Sequence, residues 1–108
     1  PCRDALGVLM VVGVLVADLL LGDVRSLKEK RGVVRPIVAE LRRLFEVSAA
    51  ETGDQDLYRR AEVAVSVVSG EHRHLVEVLD ECERMLAGRP EVELLSTWRR
   101  ILDDDDLS

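Results

Sequence analysis

Asparagine is absent from this chain, and tryptophan, tyrosine and phenylalanine occur once each, as Trp98, Tyr58 and Phe45. The first absence removes the side chain that acyl-phosphate hydrolysis on small α+β scaffolds uses to position its attacking water. The second leaves few platforms on which bases or sugars stack. Cysteine is scarce as well. Cys2 lies in the leading segment and Cys82 inside an apolar periodic stretch, which excludes the dense disulfide framework of a small secreted domain and suits a reducing cytoplasm. The apolar run from Ala5 to Ala17 follows Arg3 in the manner of a targeting segment. It falls short of the roughly 20 residues that span a bilayer. Asp18 breaks it and no small-residue cleavage site follows, so its valines are expected in a buried strand and no membrane partner is expected.

What remains is enough for one core. A chain of 108 residues is the size of a single domain, and such a domain buries roughly 65% of the surface its unfolded chain exposes. Net charge is −6, so general attraction to nucleic acid is not expected of the whole surface. The charges are segregated, however: Val24 to Arg43 holds seven Lys or Arg against two Glu.

That basic segment coincides with the clearest helix. Ser26 followed by Glu29 fits a capping box, and Leu27, Val34, Ile37, Val38, Leu41, Leu44 and Phe45 share one face at helical period. Lys28, Arg31, Arg35 and Arg42 form a second stripe on the flank of that face, with Arg25 and Lys30 near the helix start. Lys30 falls near the centre of the apolar wheel, where its stem can pack and its head snorkel. Pro36 predicts a kink, since it removes one backbone bond and crowds the carbonyl of Gly32.

Around this helix the periodicities predict strands at Met10–Leu20, Phe45–Glu51, Glu62–Ser69 and Glu93–Leu102, with a second helix begun by Ser69 and stopped by Gly88 and Pro90. The order β-α-β-β-α-β predicts an α+β, ferredoxin-like fold: a four-stranded antiparallel sheet with two helices on one face. Right-handed crossovers put the first and third strands in the centre. The division expected is an N-terminal extension over 1–9, one domain over 10–102 and an acidic tail over 103–108. Met10 is a candidate initiator. The first strand is apolar on both sides, so the helix-free face of the sheet needs a cover, most cheaply a second copy.

The basic stripe can grip a phosphate backbone, where each cation releases counterions. It can equally be the solvated flank of an acidic protein. Glu71-His72-Arg73-His74 resembles a metal or acid–base cluster, but residues two apart on a helix do not face each other, and no metal site is expected. Asp103 to Asp106 can bind a cation, fold onto the basic stripe, or simply solubilise. Cys82 reads as a packed core thiol. Trp98, beside Arg99 and Arg100, fits base stacking or a partner face. The central strands, Val11-Val12-Gly13-Val14 and Val63-Ala64-Val65-Ser66, lack the aromatics with which RNA-recognition modules of this topology stack bases. No Ser or Cys stands in a base-partnered context, so no catalysis, cofactor or small-molecule substrate is expected.

Ser26-Leu27-Lys28-Glu29-Lys30-Arg31, with Met10-Val11-Val12-Gly13-Val14-Leu15, the segment Phe45 to Glu51, and Gln55-Asp56-Leu57 before Arg60-Ala61, resembles the bacterial YlxP or DUF503 family over about 10–102. The resemblance implies a ferredoxin-like fold and no established enzymatic activity. Family genes neighbour those of transcription-termination, translation-initiation and ribosome-binding factors, which implies RNA or ribosome work by association. On matched positions it points to Lys28, Lys30 and Arg31 as binding candidates, and to Glu51 and Asp56 as residues that fix the loop before the third strand. The family often has His before the serine, where this chain has Arg25. The resulting expectation is a cytoplasmic, non-catalytic accessory protein that docks on structured RNA or a ribosomal subunit through Arg25, Lys28, Lys30, Arg31, Arg35 and Arg42. The alternative is a homodimeric or protein-interaction domain that uses Trp98 and the open sheet face.

Overall fold

A computed structural model describes residues 10–53 and 56–107. The expected extension over 1–9 with Cys2, Gln55 of the family resemblance, and Ser108 of the tail lie outside the described residues. The elements run β1 (Val11–Leu21), α1 (Leu27–Phe45), β2 (Ser48–Glu51), β3 (Arg60–Ser69), α2 (His72–Ala87), β4 (Val92–Asp103) and the single turn α3 (Asp104–Leu107). All strand pairings are antiparallel and the order across the sheet is β2-β3-β1-β4. This is the ferredoxin-like arrangement, with β1 and β3 central.

The alternation of β1 decides which side is core. Val11, Leu15, Ala17, Leu19 and Leu21 are buried against the helices, while Val12, Val14, Val16 and Leu20 are half-buried on the opposite face. From α1, Val34, Ile37, Val38 and Leu41 enter the same core, and from α2 come Leu75, Leu79, Cys82 and Leu86. Gly13 lets α2 approach β1: a Cβ there would stand 2.8 Å from Leu75 Cδ2 and 3.0 Å from Leu79 Cδ1.

Several boundaries differ from expectation for local reasons. Ser69 does not cap α2; its hydroxyl accepts from the Glu71 N–H at 3.0 Å, and Glu71 is the N-cap. Glu46, at φ 54° and ψ 43°, ends α1 in the left-handed conformation and its N–H donates to the Arg42 carbonyl. Leu44, assigned to the apolar face, is 46% exposed because it lies in the last turn. Between Asp18 and Leu19 the β1–β4 register slips, so Leu95 bulges out of β4. Polar ties hold the layers together: Arg99 of β4 reaches Asp80 and Glu83 of α2, each at 3.0 Å, and Arg89 joins the end of α2 to Glu40 of α1 at 2.9 Å.

Candidate nucleic-acid interface

The start of α1 sets the direction of every basic side chain on it. Ser26 Oγ accepts from the Glu29 N–H at 3.1 Å, and Glu29 reaches back to the Arg25 N–H at 2.6 Å. This is a capping box displaced by one residue, satisfying two N–H groups at the helix entrance. With that phase fixed, Ile37 points to the core and Lys28, Arg31 and Arg35 project to solvent. Their spacings of three and four put them on one face over about 10 Å of helix axis. No carboxylate among the described residues pairs with them. The stripe therefore crowns the outer side of α1 instead of flanking its apolar edge.

Of the remaining candidates, Lys30 and Arg42 are committed elsewhere. Lys30 is 2% exposed and its ammonium lies 2.9 Å from Glu51 Oε2, so it does not belong to the exposed stripe. Its position at the centre of the apolar wheel sends the stem through the core, and the head meets the end of β2. Arg42 is turned onto the Ala49 carbonyl, with Nε at 3.0 Å and an Nη at 2.6 Å, and ties α1 to β2. Arg25 stands 3.4 Å from Asp23 with both side chains more than four-fifths exposed, a contact of little energetic weight. Arg43 also ends α1 exposed, but it lines a cleft with Glu77 and Glu81 that offsets its charge. Of the loop residues matched to the family, Glu51 is the partner of Lys30, and Asp56 is exposed.

Trp98 is 57% exposed on the helix-free face, beside Val16 of β1. Arg100 shares that face, whereas Arg99 points the other way to α2. His72 and His74 are exposed at the start of α2, and no group of three or more His, Cys, Asp or Glu able to hold a metal occurs among the described residues. The acidic tail forms an ordered turn. The Asp103 N–H donates to Asp106 at 2.9 Å, the Asp106 N–H donates back to Asp103 at 3.1 Å, and Asp104 is buried. It sits beside Val11 and His72, at the opposite end of the sheet from Lys28, so it does not fold over the basic stripe. Cys82 is fully buried, and burial, helped by nearby Glu81, pushes its thiol pKa up to about 11. No described helix is long and apolar enough to cross a membrane.

A family model described as a protein of unknown function, DUF503, matches residues 12–99. The uncharacterized protein YlxP of Bacillus subtilis (strain 168) is 33% identical over 86 residues, which cover 77% of this chain and 90% of that protein.

Proposed function

The chain belongs to the DUF503 family, and on that premise we propose that it is a cytoplasmic, non-catalytic accessory protein that docks on structured RNA, in the ribosomal small subunit or its precursor, through the outer face of α1. The observation that carries this reading is the exposed line Lys28, Arg31 and Arg35, uncompensated by described carboxylates in a protein of net charge −6. Three cations at fixed spacing on a capped helix suit a phosphate backbone and need no aromatic stacking, in keeping with the aromatic-poor central strands. The ribosomal target follows from the genomic association that the family resemblance implies. Binding through three phosphates gives log K against log salt a slope of about −2 to −3.

Sedimentation of the full chain with ribosomal particles, at low and high salt, tests it. Co-migration lost at high salt, and lost at low salt in Lys28→Ala/Arg31→Ala, is the expected result. Co-migration of the double variant equal to wild type overturns it.

A further inference from the structure

We propose that the helix-free sheet face is the seat of a second copy of this chain, with Trp98 of each copy set in the hollow over Ala50 and Ala64 of the other. The face is built unevenly. One transverse row reads Ala50, Ala64, Val16, Trp98, and the next Ser48, Ser66, Val14, Arg100. On the β2 and β3 side these small residues leave a shallow depression of about 230 Å³. On the β4 side the same rows carry the largest side chain of the protein, 57% exposed.

A ridge and a hollow on the same rows are self-complementary under one operation. A twofold axis parallel to the strands, between β3 and β1, keeps each row and reverses the strand order. It lays β4 of one copy on β2 of the other, so Trp98 covers Ala50 and Ala64 twice over, as an isologous contact requires. Arg60 and Glu93 flank Leu20 on opposite sides, and the same axis brings Glu93 toward Arg60 of the second copy. It also lays Asp18, which is paired with its own Arg60, over Glu62 of the second copy, so these carboxylates oppose the contact and dimerisation is expected to strengthen as salt rises. Three strands about 4.8 Å apart and about 30 Å long, with the four residues of β2, give ~500 Å² per copy, or ~1,000 Å² in total, at the threshold for a specific interface.

The interface is independent of the α1 face, which lies on the other side of the sheet. Trp98 is the sole tryptophan, so its emission reports the contact directly. Wild type is expected to sediment at twice 12.1 kDa and to show a blue shift of emission as concentration rises. Trp98→Ala, and Ala50→Trp by crowding the hollow, each weaken dimerisation by roughly tenfold or more. The exchange Trp98→Ala/Ala50→Trp restores it, because ridge and hollow have traded places. Circular dichroism melts of the four proteins confirm that each is folded. A wild type that stays monomeric overturns the proposal. So does a dimer indifferent to all three variants, which would be joined elsewhere, as along the free edge of β4.

Discussion

Lys30 and Glu51 form an ion pair of 2.9 Å between the first turn of α1 and the last residue of β2, with the lysine side chain 2% exposed and the glutamate 23%. A cation in the middle of the basic segment is thus an internal strut. The run Ser26 to Arg31 divides its labour by direction. Ser26 and Glu29 cap the helix, Lys30 points inward, and Lys28 and Arg31 face water.

Stability and binding are therefore expected to separate along this run. Lys30→Met keeps most of the packed stem but removes the ammonium that stands 2.9 Å from the half-buried Glu51, a loss of about 1–3 kcal/mol. Lys28→Ala and Arg31→Ala, which touch no described partner, stay within about 0.5 kcal/mol of wild type. Adding Glu51→Leu to Lys30→Met removes the half-buried carboxylate as well and recovers part of the loss. Urea unfolding midpoints measure all four. A Lys30→Met protein as stable as Lys28→Ala would show that the pair carries no weight.

The buried thiol gives a pH dependence of known sign. Cys82 in the fold titrates near 11, while in the unfolded chain it ionises about two units lower. Below both values it makes no difference to stability with pH. As pH rises from about 9 to about 11, the unfolded state loses its proton first and stability falls, by roughly 2–3 kcal/mol for this group. Other groups titrate in the same window, so the comparison is with Cys82→Ala. That variant starts less stable at pH 8 and the gap narrows toward pH 11. A constant gap across the window would contradict the shift.

The fold was legible because each element carried its own signal. Period two in β3, period 3.6 in α1 and α2, and the Ser26 cap sufficed to order the strands. The direction of the basic residues was less legible. On a helical wheel Lys30 falls among apolar residues, but its anion, Glu51, lies 21 positions away and becomes a neighbour only when β2 folds beside α1. Arg42 illustrates the same limit: its acceptor is a backbone carbonyl, Ala49, which no composition or charge count reveals. The asymmetry of the open face was likewise invisible, since the pairing of Ala64 and Trp98 with the same residue, Val16, depends on strand register.

Glu46 is a stabilising opportunity. It is the one described non-glycine residue at positive φ, its side chain is exposed, and its role as C-cap needs only its backbone N–H. Glu46→Gly removes the Cβ strain of the left-handed conformation and is expected to raise stability by about 0.5–1 kcal/mol. A thermal melt suffices to check it, and an unchanged or lower midpoint would mean that the Glu46 side chain has a compensating interaction.

Gly13 tests the packing that holds α2 on the sheet. A Cβ at this position meets the tips of Leu75 and Leu79, both fully buried. Those tips are flexible, but a full core gives them no vacant space to enter. The better strand propensity of alanine offsets part of the clash, so Gly13→Ala is expected to lose about 1 kcal/mol, and Gly13→Val, with two more methyl groups aimed at α2, about 2–3 kcal/mol. Pairing Gly13→Ala with Leu75→Val opens room where the clash occurs, so the double variant should fall short of the sum of the two losses. Chemical denaturation of the four proteins measures this coupling. Strictly additive losses would place the Gly13 effect in the strand backbone and not in the contact with α2.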